Sequence, residues 1–309
     1  MPDILYPVKW VVELLLVAFH NLFTFLGLRS GDGLTWVLAI TGLVLVVRAA
    51  LIPLFVRQIK SQRGMVLLQP ELQKLQKKYK GKSDRESREA FAKEQMELYK
   101  RTGSNPLSSC LPLLAQMPIF MSLFFVLNEA QHAKAGVGLL TAELSKDFSQ
   151  ATFFGAPLSE TFLTASTNTV RFLAAAMVIL MTTSQFITQR QIISKNQTPA
   201  NLQNSQYMQT QKVMLWLFPI MFAVSGVSFP LGVMFYWLVS NFWTMGQQYV
   251  VIKRMPTPGS VAHDQLQARL AAKGKLALPE VIEGEVPDEL KPEPKGQRSQ
   301  PTRKKPKKK

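Results

Sequence analysis

The chain has 309 residues, 47% hydrophobic and only 18% charged, yet its 36 Lys and Arg against 20 Asp and Glu give a formal net charge of +16. A soluble nucleic-acid-binding domain can be as basic, but it does not gather apolar residues into runs near the ~20 residues that cross a ~30 Å hydrocarbon core. The single cysteine, Cys110, excludes an internal disulfide framework and a multi-cysteine metal site, while His20, His132 and His263 are too scattered for an HExxH-type metal centre. The composition is that of an all-α polytopic membrane protein, with no metal or cofactor called for.

Within residues 1–33, the segment 4–28 is apolar but periodic. Lys9, Glu13, His20 and Thr24 fall within about 60° on a helical wheel, and Trp10, Phe19 and Phe23 suit the headgroup level. The reading is an interfacial helix, with a sixth span or an uncleaved signal segment as the alternative. Pro7 and the lack of a Lys/Arg-rich start speak against an ordinary signal peptide.

Five segments read as spans: 34–56, 107–128, 169–190, 213–229 and 231–252. The last two are separated by Phe229-Pro230, a step that favours a tight reversal. Lys and Arg number 13 in residues 57–106, 3 in 190–212 and 14 in 253–309, but only 2 in 1–33 and 2 in 129–168. The positive-inside rule therefore expects 57–106, 190–212 and the C-terminal tail in the cytoplasm and the other two regions outside.

Residues 57–106 read as a basic helical hairpin. Leu68, Leu72, Leu75 and Tyr79 line one arm; Phe91, Gln95 and Leu98 with Ala92, Met96 and Tyr99 line the other. The turn is Lys80-Gly81-Lys82-Ser83, Ser83 or Asp84 can cap the second arm, and Pro70 predicts a kink or restart in the first. Gly81-Lys82-Ser83 looks like the end of a phosphate-binding loop, but its required first glycine would be residue 76, which is Gln76, so that reading fails. Lys74, Lys77, Lys78, Lys80 and Lys82 form one cationic docking surface. A second lies in the tail 253–309, which from 256 onward reads as disordered and ends in Arg303, Lys304, Lys305, Lys307, Lys308 and Lys309. Anionic lipid headgroups and RNA phosphates both suit these cations.

Arg48 lies inside the first span, where a lipid-facing guanidinium costs ~2.5–3.5 kcal/mol on insertion scales. No Asp or Glu occurs within the five spans. Hydration and neutral acceptors must therefore serve the charge, with Thr41, Gln116, Gln185, Ser240 and Asn241 as candidates. Most polar residues of the third and fifth spans lie in the half nearer the cytoplasm, which suggests a hydrated concavity open to that side. Snorkelling of Arg48 to the inner face is the alternative; Arg171, at the outer start of its helix, is read as snorkelling only.

These residues resemble a family. Asn105-Pro106-Leu107, Cys110-Leu111-Pro112 and Gln116-Met117-Pro118-Ile119-Phe120, then Phe229-Pro230-Leu231-Gly232 running into Tyr236-Trp237 and Ser240-Asn241, are similar to the YidC/Oxa/Alb membrane protein insertases. So is Arg48 with Pro53, followed by Leu68-Gln69-Pro70 in a basic hairpin. The resemblance covers about 4–254 and is to the short Gram-positive or actinobacterial form. The chain departs from it in lacking a lipoprotein cysteine and in having Val44 one turn before the arginine, a polarity that Thr41 is expected to replace.

The resemblance implies a bacterial plasma-membrane insertase and chaperone, not an enzyme, with a cytoplasmic C-terminus. Its groove, open to cytoplasm and lipid, centres on Arg48 and receives nascent membrane proteins without nucleotide hydrolysis. Met117, Ile119, Phe120, Phe124, Met221 and Trp237 are the implied apolar contacts for the incoming segment. Whether a ribosome and the Sec translocon are partners stays open. The competing readings are a passive anion or solute transporter and a ribosome- or RNA-docking membrane receptor.

Overall fold

The computed structural model describes residues 4–101, 111–197 and 206–274. Ten helices and one two-stranded ribbon occur among them. In chain order these are α1 (Tyr6–Phe25), α2 (Gly33–Ala50), α3 (Ile52–Tyr79), α4 (Arg85–Arg101), α5 (Leu111–Gln131), α6 (Ala142–Gln150), β1 (Thr152–Phe153) and β2 (Ala156–Pro157). Then come α7 (Asn168–Asn196), α8 (Gln206–Gly226), α9 (Leu231–Arg254) and α10 (Val261–Ala272). Among the described residues α1, α2 and α7 are long and apolar enough to cross a membrane. The fold is that of an all-α polytopic membrane protein.

The run expected as one span over 34–56 is divided at Leu51, which closes α2 and opens α3. Pro53 has no N–H for a preceding carbonyl, so it fits the first turn of a new helix better than the interior of an old one. Pro70, by contrast, neither stops nor restarts α3, which runs on to Tyr79. The reversal expected at Pro230 is present: α8 ends at Gly226 and α9 starts at Leu231 with Pro230 as its N-cap.

One end of the bundle is capped. The segment after α5 folds into α6, N-capped by the Thr141 hydroxyl, and then into a ribbon pairing Thr152 with Pro157 and Phe153 with Ala156. Phe154 and Gly155 both have positive φ, as a two-residue hairpin turn of this hand requires. The ribbon sits so close to the start of α2 that a Cβ on Gly33 would lie 2.3 Å from the Thr152 carbonyl oxygen. Past the ribbon, the backbone N–H groups of Leu231 and Gly232 donate to the carbonyls of Glu160 and Leu158, at 3.0 and 2.9 Å. Trp36, Phe148, Leu140, Leu158 and Leu231 are buried together here, with the Phe148 ring edge-on to Trp36.

Helix α1 belongs to the same end along its length. Its start places the Lys9 ammonium over the Phe125 ring, 4.8 Å from the centroid, within two turns of the end of α5. Farther along, His20 lies over Trp36 and meets the Ser30 carbonyl at 3.0 Å, while Phe19 rests on Gly42. The polar stripe predicted for this helix is turned into the protein rather than toward water: Lys9, Glu13 and His20 are buried, while Ile4, Trp10, Val11, Leu22 and Phe25 are exposed. The reason is the Glu13 carboxylate, which accepts from the backbone N–H groups of Val137, Gly138 and Leu140 at 2.8, 2.7 and 3.4 Å. Those amides have no strand or helix partner of their own, and a buried carboxylate serves several at once.

At the opposite end, α3 and α4 form the expected hairpin, with Leu68, Leu72 and Tyr99 buried and Leu98 beside them. Tyr79 packs edge-on against Phe91. Lys78 and the Tyr79 hydroxyl both bond Glu94, at 2.7 and 2.8 Å, and Asp84 rather than Ser83 caps α4 by accepting from the Ser87 N–H. Met96, expected on the inner face, is exposed.

The tail, expected to be disordered from 256, instead folds back through 272. Thr257 and Ser260 are buried, the Thr257 N–H donates to the Asn196 side chain at the end of α7, and Ser260 caps α10. A capping serine followed by Ala, Leu and Gln suffices to form a short helix once its start is tied down.

Replacing Glu13 by Ala would strip a buried acceptor from these amides. We expect a loss of about 3 kcal/mol of stability, seen as a lower thermal midpoint in detergent and faster hydrogen exchange at residues 136–140. In the hairpin, bonds from Lys78 and Tyr79 hold the Glu94 carboxyl below the usual carboxylate range. Its contribution is present above the unfolded-state carboxylate value and disappears as pH falls through the lower folded value. Hydrogen-exchange protection factors in α4, taken relative to the intrinsic rate at each pH, should therefore fall on acidification below about pH 4 in the natural protein, and Glu94→Gln should remove that dependence.

Candidate functional site

Arg48 stands in the last turn of α2, half-buried, two residues before the helix ends. Of its five expected acceptors, one is used: Ser240 of α9 receives both Nε, at 3.3 Å, and one terminal nitrogen, at 3.0 Å. Ser240 is itself buried. A single hydroxyl cannot satisfy a guanidinium with five N–H groups. Among the described residues no carboxylate or second acceptor reaches the remainder.

The rest of the network is built by helical spacing. Tyr236 lies four residues before Ser240, on the same face of α9, and its hydroxyl receives the side-chain amide of Gln116 from α5. Arg48, Ser240, Tyr236 and Gln116 thus tie α2, α9 and α5 together with one charge and three neutral groups. Tyr236 was not among the expected lining residues. Its spacing to Ser240 was the available signal.

The other polar candidates do not join. The Thr41 hydroxyl donates to the Val37 carbonyl one turn back, at 2.8 Å, and Val44 is buried, so Thr41 does not restore the polarity missing at position 44. This is the ordinary fate of a threonine in an apolar helix, where its own backbone is the nearest acceptor. Gln185 and Asn241 are half-buried on α7 and α9 and make no bond to Arg48. Ser184, Thr188 and Thr244 also bond carbonyls of their own helices.

The apolar candidates divide into two groups. Phe120 stacks on Trp237 at 5.1 Å with an interplanar angle of 5°, Trp237 meets Phe229 at 4.8 Å, and Phe229 meets Phe124 at 5.7 Å. These rings join α5 to the start of α9 and are already packed, between the polar network and the capped end. Met117 and Met221 are exposed, and Ile119 is half-buried. Met221 belongs to an apolar stripe on α8 made by Val213, Trp216, Leu217, Ile220 and Val224, all exposed at helical spacing.

Of the docking lysines, Lys74, Lys77, Lys80 and Lys82 are exposed on the hairpin, whereas Lys78 is committed to Glu94. Residues 303–309 and Cys110, with Asn105 and Pro106, lie outside the described residues.

The chain matches the family described as 60Kd inner membrane protein over residues 28–258. It is a member of the YidC/Oxa/Alb family. It is 42% identical to the membrane protein insertase YidC of Tropheryma whipplei (strain Twist), an alignment covering 98% of this chain and 96% of that protein. To the protein of the same name from Bifidobacterium longum it is 37% identical, over 99% of this chain and 95% of the other. To that of Streptomyces avermitilis it is 43% identical, over 87% of this chain and 63% of the other. These relatives are actinobacterial, as the motifs led one to expect, and a bacterial membrane protein follows from them and from the apolar helices.

A double-mutant cycle tests the central contact. Arg48→Ala and Ser240→Ala are expected to show a coupling of about 1–3 kcal/mol in detergent unfolding, because either change alone removes the same charge-assisted hydrogen bond.

Proposed function

We propose that this protein is a membrane protein insertase and chaperone that receives nascent hydrophobic segments beside Arg48 and releases them into lipid. One observation carries the reading. A half-buried guanidinium is anchored by a single neutral hydroxyl and keeps N–H groups without a protein acceptor among the described residues, in a bundle whose other end is packed shut. The names of the relatives point the same way.

The charge pattern orients the bundle with its capped end outside and the hairpin, the C-terminal end of α9 and the tail in the cytoplasm. In this orientation α1 lies along the outer interface. Its inward polar face is held by the cap and its exposed Trp10, Leu22 and Phe25 meet the headgroup and acyl boundary. Arg48 then sits near the inner face.

A polar segment of a nascent chain that must cross enters from the cytoplasm and exchanges water for the free N–H groups of Arg48. The path it must travel through hydrocarbon is thereby shortened. The adjoining apolar segment moves along Met117 on α5 and the stripe on α8 that includes Met221, both of which already face outward. An apolar segment of ~20 residues gains several kcal/mol on entering lipid, so neither nucleotide nor cofactor is needed. The exposed hairpin lysines offer a docking surface for anionic lipid or for a ribosome, and the Sec translocon is a further candidate partner.

In cells depleted of the natural protein, Arg48→Ala should reduce insertion of several single- and double-span substrates at least several-fold, read by protease protection. Deletion of 257–309 should retain most insertion. Crosslinkers at Gln116 and Met221 should both capture a stalled nascent membrane protein. Normal insertion of every substrate by Arg48→Ala, together with loss of a purified solute flux, would instead assign the protein to passive transport.

A further inference from the structure

Where α9 ends, α10 folds back beside it and leaves a cleft of about 350 Å³ between them. The helices line it in the same way. On α9, Tyr249 and Val250 are followed one turn later by Lys253 and Arg254; on α10, Leu266 and Leu270 alternate along one face with Arg269 and Lys273. The result is an apolar and aromatic floor beneath a rim of four cations. An adjoining cleft shares Tyr249, Lys253 and Arg269 and adds Lys195 from α7.

Lys and Arg near helix C-termini are common because they offset the helix dipole. That alone does not bring cations from two helices around one cavity. None of Lys253, Arg254, Arg269 and Lys273 has an ion pair among the described residues, and Lys253 only lies over the Tyr249 ring at 5.6 Å. The carboxylate on α10, Asp264, is exposed beside His263. Like charges gathered without a counter-charge repel one another unless an anion joins them.

We infer that this cleft is a binding site for the phosphate headgroup of an anionic phospholipid. Its rim contacts the phosphate, and Tyr249, Val250, Leu266 and Leu270 take the glycerol and upper acyl carbons. A phospholipid is favoured over free phosphate or RNA because the floor is apolar. The cleft also lies at the end of α9, about 28–36 Å along the helix from Pro230, the depth of an inner headgroup layer in the orientation adopted above. The inference rests on that orientation and on no step of insertion. Helix α10 lies beyond the region matched by the family, which ends at 258, so the site joins cations of α9 inside that region to cations of α10 outside it.

The test uses the full chain in nanodiscs of phosphatidylcholine with a minor fraction of phosphatidylglycerol, released into the gas phase so that retained lipids are counted by mass. The natural protein should retain phosphatidylglycerol preferentially. Arg269→Gln and Lys273→Gln, both exposed and harmless to folding, should each weaken that preference roughly fivefold; Arg269→Lys should restore most of it.

Arg48→Ala should leave the preference unchanged even where insertion is lost. Equal retention of the two lipids by the natural protein would overturn the inference. So would unchanged retention in both α10 variants, full displacement by millimolar inorganic phosphate, or an RNA oligomer held by the natural protein and lost in the α10 variants while lipid retention persists.

Discussion

A guanidinium in the last turn of an apolar helix, with no carboxylate in reach among the described residues, cannot be neutralised by proton loss and cannot be left dry. Much of the arrangement around Arg48 follows from that condition. The Ser240 hydroxyl gives it one anchor, and Tyr236 and Gln116 extend the contact to a third helix. A carboxylate in place of Ser240 would hold the charge more tightly and consume the hydrogen-bonding capacity that the proposed function assigns to an incoming polar segment. Neutral anchoring leaves the guanidinium positioned but not spent.

The two ends of the bundle answer different demands. At the capped end, backbone amides of connecting segments lie away from water and must find acceptors inside the protein. Glu13 serves one loop, while the carbonyls of Leu158 and Glu160 receive the first amides of α9. The buried aromatic and aliphatic side chains concentrate there, with the stacked rings of Phe120, Trp237, Phe229 and Phe124 just beneath. At the other end the described contacts include exposed polar ones, as in the Lys78 and Glu94 pair, which solvent screens and which stabilises the hairpin only modestly. In the proposed function a nascent segment enters at the end away from the cap, whose contacts it leaves in place. The cationic cleft between α9 and α10 places a second set of positive charges at that end, suited to hold it against an anionic leaflet.

Some of the expected site was legible because it depends on local rules. Arg48 was conspicuous as a charge in an apolar run, and Ser240 was among five neutral acceptors. Choosing Ser240 over Thr41 was beyond reach: a threonine bonded to its own Val37 carbonyl and a serine facing another helix look alike in a one-dimensional pattern. Phe120, Phe124 and Trp237 read as a free apolar surface, but stacking against one another had already used them. The wheel that gathered Lys9, Glu13 and His20 found a true stripe and left its direction open, because a helix with one polar face can bury that face when the neighbouring backbone needs an acceptor.

The sequence by itself determined that this chain enters a membrane, where its long apolar runs lie, where Pro230 reverses the path and that no Asp or Glu shares the expected spans with Arg48. These follow from run length, periodicity and composition, which act over a few neighbouring residues. Tertiary structure alone decided that Ser240 holds Arg48, that Glu13 reaches amides about 125 positions away and that the stretch after Pro256 folds back as α10. Each depends on bringing distant segments within about 3 Å, where the burial of one group sets the hydrogen-bonding needs of another.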